Sequence, residues 1–473
     1  MTLTVPPPFD TVLSPLERLE ALCDDGSLTL LRTGVRSPRL GDRSRAGDGV
    51  LAGAGRVAGQ PVYCYAQDSS YLGGSLGEAH AESIVKVLRL AGRAKAPVVG
   101  FVDSGGARLQ EGTAALAGYA RIFREHVALS GRVPQISVIC GPSAGGGSYS
   151  PALTDFVVMT QRARMFLTGP GVVRDVLGEE IDAEALGGPR VHAANGVSHF
   201  TAAGDEDAAL VARELLELHG SRLGRPHEAP GVPEVPAEHR RAYDIRDVVR
   251  GLADGGGFLE YGARWARNMV CGYVRLGGRS VGVVANQPRY LGGVLCAESA
   301  AKAARFVRTC NSFGVPLLVL VDTPGFLPGT KQEHEGVIRH GAKLVHAFAE
   351  ATVPRVTVVL RKAFGGAFIA MNARDLGADY VFAWPGATLG VMGAEQAVGL
   401  VHRRAIAEAA DPAAEKAERA AAYADEHLGA ATAAADGYVD EIVSPHDTRR
   451  RLIDALSTLD AATAPAGTPN LPL

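Results

Sequence analysis

The feature that most constrains this 473-residue chain is that it repeats itself at long range. Val133–Ser150 reads VPQISVICGPSAGGGSYS, and Val353–Asn372 reads VPRVTVVLRKAFGGAFIAMN. Each block opens on Val-Pro, runs through a β-branched stretch of strand character, and enters consecutive glycines: Gly145-Gly146-Gly147 in one, Gly365-Gly366 in the other. Pro134 and Pro354 lie 220 positions apart. Upstream, APVVGFVDSGG (96–106) echoes VPLLVLVDTPG (315–325), with Asp103 and Asp322 separated by 219 positions. Several blocks at one spacing imply a duplicated domain and not a short-period solenoid. The fold class expected is α/β, with strand and helix alternating in each half around a layered sheet. Two related halves mean two related glycine turns.

Length and composition fit that reading. Two domains are expected, residues 1–225 and 241–473, joined by a linker at 226–240. The stretch Gly224–Arg241, GRPHEAPGVPEVPAEHRR, carries four prolines and little apolar periodicity. A net charge of −3, with no dense Lys/Arg run, argues against a nucleic-acid partner. The six cysteines are scattered without a C-x-x-C pair, which disfavours a zinc ribbon or redox dithiol. The N-terminal MTLTVPPPFD has neither a basic n-region nor an apolar h-region, and no apolar run is long enough to cross a membrane. A soluble, cytoplasmic protein is expected.

Local signals place the elements. Ser14 followed by Pro15 starts a helix, and Gly49–Gln67 alternates like a β-hairpin. The hairpin contains G-A-G-R-V-A (53–58), an imitation of a dinucleotide fingerprint. Pro61 and a second strand follow it where a helix would be needed, so these are read as hairpin glycines. Helices are expected after Ser75 or Gly77, over 111–130 and over 205–220, and the Ala/Glu/Lys-rich 412–427 is read as a solvated helix.

Gly141-Pro142-Ser143-Ala144-Gly145 satisfies G-x-S-x-G between a strand and a helix, the context of a nucleophile elbow. The second copy carries Ala363 in place of Ser143, so the shared feature is the glycine pair and not a hydroxyl. Successive backbone N–H groups at a helix start suit an oxyanion hole, each donor contributing about 3 kcal/mol. His340 and His346 are candidate bases by type. His340 is better read as making a structural hydrogen bond, and Asp103 and Asp322 as turn or cap residues. No cluster of metal-ligand residues stands out.

These residues carry a resemblance. DSGGARLQEG (103–112), the 130–156 block around the first glycines, MFLTGP (165–170) and EALGGPRVH (184–192) are similar to the carboxyltransferase β subunit of biotin-dependent acyl-CoA carboxylases. So are residues 303–344, RKAFGGAFIAMNARDLGAD (361–379) and GYVDEIVSPHDTR (437–449). The resemblance implies two tandem crotonase-like (ClpP/crotonase) domains, the N-terminal one for acyl-CoA and the C-terminal one for carboxybiotin. It implies Gly145 and Gly146 at the acyl carbonyl and Gly366 and Ala367 at the biotin ureido oxygen. Gly105, Gly106, Ala107, Arg108, Phe368 and Ile369 line the substrates. It further implies no metal on this chain, biotin delivered by an α chain with biotin carboxylase and carrier domains, and a trimer of dimers with the active site between subunits.

Departures from the family pattern are Ser143 where Cys is frequent, Gly147 where Ala is frequent, and Cys296 in place of an acidic residue. The fourth is Ile369, where propionyl-CoA-type relatives carry Asp. Ile369 favours acetyl-CoA converted to malonyl-CoA, with propionyl-CoA or longer acyl groups as alternatives. The other readings are a decarboxylase or transcarboxylase subunit, a serine hydrolase at Ser143, and a non-catalytic scaffold paralogue.

Overall fold

In the computed structural model, residues 12–220, 224–459 and 466–470 are described. They divide into two compact units. The first comprises the residues up to 220 together with 467–470, and the second the residues from 224 to 466.

The first unit is built on strands β1 (Thr29–Leu31), β2 (Val50–Val57), β3 (Gln60–Gln67), β4 (Val98–Ser104), β5 (Gln135–Ala144), β6 (Phe156–Thr160), β7 (Arg164–Phe166) and β8 (Phe200–Ala202). Their order in the sheet is β1-β2-β3-β4-β5-β6-β8, with β7 alongside the end of β5. β2 and β3 form the expected antiparallel hairpin; β3 through β6 and β8 run parallel. A parallel strand is covered on both faces and so reads as an unbroken small or apolar run. VVGFVDS of β4 is buried at every position. The crossover helices Glu78–Ala94 and Thr113–Leu129 each turn one apolar face to the sheet.

The second unit repeats this topology with β9 (Leu259–Tyr261), β10 (Met269–Leu276), β11 (Arg279–Asn286), β12 (Leu317–Thr323), β13 (Arg355–Phe364), β14 (Tyr380–Ala383), β15 (Thr388–Gly390) and β16 (Glu441–Ile442). Its order is β9-β10-β11-β12-β13-β14-β16, with β15 beside β13. β10, β11 and β12 are β2, β3 and β4 with every bound displaced by 219, and β13 is β5 displaced by 220. The two sheets thus share one topology, in agreement with a tandem duplication.

The hairpin glycines have a packing reason. A Cβ on Gly53 would lie 2.6 Å from the Thr29 carbonyl, and one on Gly55 would lie 2.5 Å from Cys23 Sγ. Residues 226–240, expected as a linker, are laid along the second unit. Gly231 N–H donates to the Gly251 carbonyl at 3.2 Å, and Arg449 reaches the His227 carbonyl at 3.0 Å. The chain end, expected with the second domain, returns to the first: Asn470 N–H donates to Ser130 Oγ at 2.8 Å and its side-chain amide to Asp155 at 3.1 Å. The Ala-rich helix 412–423 passes into a π-turn, Ala424–Leu428, that buries Leu428 against Gly390. No described helix is long and apolar enough to cross a membrane.

Two imidazoles, His80 and His126, are sealed inside the first unit, and a third, His219, is half-buried there. His126 Nδ1 meets Gln135 Oε1 at 2.7 Å, His219 Nδ1 meets the Leu215 carbonyl at 2.7 Å, and His80 Nε2 meets the Gln67 amide at 3.2 Å. Burial pulls His126 and His219 down to about 4. Burial, reinforced by Arg108, pulls His80 to about 3. The unfolded chain protonates these rings near pH 6.5 while the folded chain resists. Stability is therefore full above pH 6.5 and falls as the pH drops from there toward 4. Three protons give a slope of up to about 4 kcal/mol per pH unit. Urea unfolding at pH 7.5, 6 and 5 should show this decline, flattened in His126→Asn; an unfolding free energy constant over that range would contradict it.

Candidate active site

The first glycine turn lies where β5 ends. Gly145 sits at φ 57°, ψ −122°, a conformation that strains any side chain, and the helix Gly146–Ala152 begins at the next residue. β7 runs beside Pro142–Ala144, and this brings the Phe166 carbonyl within 3.1 Å of Gly145 N–H. That N–H is therefore occupied. Ser148 N–H is also committed, to the Gly145 carbonyl at 3.0 Å. Gly146 and Gly147 hold the first two helical positions, whose N–H groups have no intrahelical acceptor. Of the expected pair Gly145–Gly146, the Gly145 N–H is thus taken inside the turn, while those of Gly146 and Gly147 are left unused by the helix. A Cβ on Gly146 would strike the Tyr119 ring at 2.9 Å, whereas one on Gly147 would meet ordinary contacts at 3.5 Å.

The second turn repeats this geometry. Gly365 has φ 61°, and the helix Gly365–Ala370 follows β13 without a break. Gly366 and Ala367 are its second and third residues, again with first-turn N–H groups. Displacing Gly146 and Gly147 by 220 gives Gly366 and Ala367. The second unit thus carries a Cβ at the position where the first has Gly147 and room for one. Gly366 faces Phe326, with a Cβ 3.9 Å from its ring. Phe368 is half-buried and Ile369 is 53% exposed.

A loop lies against each turn. Gly105 N–H donates to the Gly73 carbonyl at 2.9 Å, Leu76 N–H to the Gly106 carbonyl at 2.8 Å, and Arg108 N–H to the Leu76 carbonyl at 3.0 Å. Gly106, at φ 101°, brings this loop to within 3.1 Å of the Ala144 carbonyl, measured from a would-be Cβ. Gly105 is exposed and Ala107 half-buried. Arg108 is the exception among the expected substrate residues. Its guanidinium is wholly buried, 2.7 Å from Asp48 and 2.8 Å from Glu111, and donates to the Ser75 carbonyl at 2.8 Å. It closes the loop from inside and is not placed to touch a ligand.

The remaining candidates have other tasks. Asp103 and Asp322 are buried ion-pair residues and not turn or cap residues. Arg18 Nη2 lies 3.2 Å from Asp103, and Arg361 Nε lies 2.8 Å from Asp322. His340 makes one side-chain hydrogen bond, at Nε2 with Arg339 Nη2 at 3.4 Å, while its Nδ1 has no partner in the described structure. Burial, then Lys343 and Arg339, lower its pKa. His346 is exposed beside Glu350 at 3.5 Å. Ser143 Oγ is buried and donates to the Gly147 carbonyl at 2.9 Å, so it braces the turn and is not presented as a nucleophile. Cys296 caps the helix Ala297–Phe313 and receives the Asn268 amide at 3.4 Å.

Each of the two duplicated sheets ends in a glycine turn that opens a short helix, and backbone N–H groups in such a first turn can receive a negatively charged oxygen. Residues 12–468 match the model of the carboxyl transferase domain family. The chain is 47% identical over 462 residues to a putative propionyl-CoA carboxylase beta chain of Bacillus subtilis (strain 168), covering 95% of this chain and 91% of that one. It is 43% identical over 481 residues to a biotin-dependent acetyl-/propionyl-coenzyme A carboxylase beta5 subunit of Mycobacterium tuberculosis, covering 96% and 88%. Its fold matches the crystal structure of transcarboxylase 12S, titled as a hexamer assembly with methylmalonyl-coenzyme A bound, at a TM-score of 0.91 and 44% identity over 95% of this chain and 89% of that one. The chain belongs to the family of carboxyltransferase β subunits of biotin-dependent acyl-CoA carboxylases.

Substitutions at the first turn separate backbone from side chain. Gly147→Ala should leave turnover within about twofold, because its Cβ fits. Gly147→Pro removes one donor in the first helical turn, where Pro is tolerated, and should lower turnover about 100-fold with the fold intact. Ser143→Ala should retain most activity; its abolition with the fold preserved would restore the hydroxyl as a chemical participant.

Proposed function

We propose that this subunit transfers a carboxyl group from carboxybiotin to the α-carbon of a short acyl-CoA. The observation that carries the proposal is the pair of matched glycine turns, each offering two free N–H groups. Gly146 and Gly147 hold the thioester oxygen as negative charge builds on it during loss of the α-proton, and Gly366 and Ala367 hold the ureido oxygen. Carboxybiotin, when bound, supplies the carboxyl group and a ureido nitrogen able to take the α-proton. That chemistry fits two units whose buried carboxylates, Asp103 in the first and Asp322 in the second, are each already paired with a guanidinium group. The exposed backbone of Gly105 suits the acyl-CoA side, with Gly106 buried behind it, and Phe368 and Ile369 suit a wall of the second.

Ile369 presents an apolar side chain after the second turn and supports acetyl-CoA as the acceptor. Propionyl-CoA is the second reading, supported by the substrate named in both relatives, and one methylene changes binding by only about 1–3 kcal/mol. Biotin would arrive on a carrier domain of a separate α chain, the β chains assembling as a hexamer like that named for transcarboxylase 12S. A transcarboxylase role is also supported by that likeness. The chain is expected to work in the cytoplasm.

The direct assay is carboxylation of free biotin by malonyl-CoA or methylmalonyl-CoA, run on the purified chain. Turnover is expected with at least one donor and lost in Gly366→Pro, with malonyl-CoA preferred if Ile369 selects the shorter chain. Binding of CoA esters without transfer would favour the scaffold reading, and the absence of both would overturn the proposal.

A further inference from the structure

The second turn is held by a tie that has no counterpart on the matching strand of the first. Arg361 lies in β13, four residues before Gly365, and is 4% exposed. Its Nε donates to Asp322 at 2.8 Å, and its Nη1 points at three backbone carbonyls, those of Pro236 at 3.0 Å, Glu238 at 2.9 Å and Arg241 at 2.9 Å. The guanidinium also covers the Tyr243 ring, 4.6 Å from its centre. Lys362 adds a bond to the His239 carbonyl at 3.1 Å. Residues 236–241 are thereby strapped onto the strand that delivers the second turn.

The same position in the first unit, 220 residues earlier, is Gly141. A Cβ there would lie 2.3 Å from Asp103 Oδ1, so that strand has no room for a side chain. Asp103 is met instead from the N-terminal helix by Arg18, which also holds Asp205 at 2.8 Å, and by Ser69 Oγ at 3.0 Å. The buried Asp is common to both units, while its counter-ion comes from different elements. A buried ion pair adds little net stability over apolar packing, so stability alone does not account for an arginine in β13. What Arg361 adds is the strap. Its own carbonyl accepts from Thr388 Oγ1 at 3.2 Å, which ties β15 to the same point beside the turn.

We propose that Arg361 is a positioning residue for the second turn. By fastening the 236–241 strap and Asp322 to β13, it holds the Gly366 and Ala367 N–H groups at the spacing that the biotin ureido oxygen requires. This inference rests on the proposed function for its kinetic consequence, and on geometry alone for its structural one.

Arg361→Gly, which installs the residue found at the matching position of the first unit, is the test. Transfer to free biotin should fall by up to about 100-fold with a raised KM for biotin, while affinity for the CoA ester stays that of the parent. Millimolar guanidinium should restore part of the rate. Amide exchange should accelerate at 236–243 and 364–368 and stay unchanged at 135–150. Unaltered kinetics in a folded variant, equal weakening of biotin and CoA-ester binding, or no response to guanidinium would overturn the proposal. If Arg361→Gly does not fold, Arg361→Lys serves: it keeps a charge for Asp322 but cannot span the three carbonyls, so biotin KM should still rise, and parental kinetics would refute the tie. Should the parent chain itself transfer no carboxyl group, the proposed function fails. The exchange data then decide separately, faster exchange at 364–368 supporting the tie and unchanged exchange overturning it.

Discussion

Each unit depends on a single left-handed residue at the end of its central parallel strand. Gly145 and Gly365 take φ values of 57° and 61°, which turn the chain sharply from strand into helix. The turn leaves the next N–H groups pointing away from every acceptor of the sheet and too early in the helix to be used by it. A side chain at either glycine would cost about 1 kcal/mol or more in backbone strain. The surrounding structure is arranged to hold the turn in place. β7 binds Gly145 through the Phe166 carbonyl, Ser148 Oγ bridges the Ser143 and Phe166 carbonyls at 2.6 and 2.9 Å, and Tyr119 closes beneath Gly146. Backbone donors placed in this way need no titratable group, which suits chemistry in which the proton acceptor arrives with the substrate.

The duplication preserved this turn more strictly than what supports it. β4 and β12 both end in a buried Asp whose N–H is taken by the side-chain oxygen of a residue on the neighbouring strand, Gln67 in one unit and Asn286 in the other, each at 3.2 Å. Gly74 and Gly293 approach the carbonyls of these Asp residues so closely that a Cβ would lie 2.0 and 2.5 Å away. Beyond that the units diverge. The loop after β4 is locked by Arg108, Asp48 and Glu111, whereas Gln332 gives the N-terminus of the helix Ala297–Phe313 the acceptor that Glu111 gives the helix Glu78–Ala94. Both halves bury an ion pair at this Asp, but the helix N-terminus is met by a carboxylate in the first and by a neutral amide in the second.

Much of this was legible in the chain. The repeat revealed two α/β units because parallel strands need unbroken apolar runs, and VVGFVDS and LLVLVDT are easily seen. The hairpin glycines at 53 and 55 were separable from a nucleotide fingerprint because Pro61 follows them. The occupied state of Gly145 N–H was hidden because its acceptor is Phe166, on a short strand 21 residues downstream, and no local signal reports that pairing. Arg108 was placed at the substrate only through the family resemblance; its partner Asp48, 60 residues away, left no local sign of the burial. For the same reason the paired state of Asp103 and Asp322 was hidden. Aligning the copies residue by residue, Gly147 against Ala367, holds the clue to the Gly147 N–H.

The central claim is that Gly146 and Gly147 polarise the acyl carbonyl by their N–H groups alone. Isotope-edited infrared spectroscopy of acetyl- or propionyl-CoA carrying a ¹³C-labelled thioester carbonyl, bound to the protein, tests it most directly. The account requires the carbonyl stretch to move to lower frequency on binding, to keep that shift in Gly147→Ala, and to lose most of it in Gly147→Pro while the CoA ester still binds. A bound carbonyl whose frequency equals that of the ester in water, or one indifferent to Gly147→Pro, would contradict it.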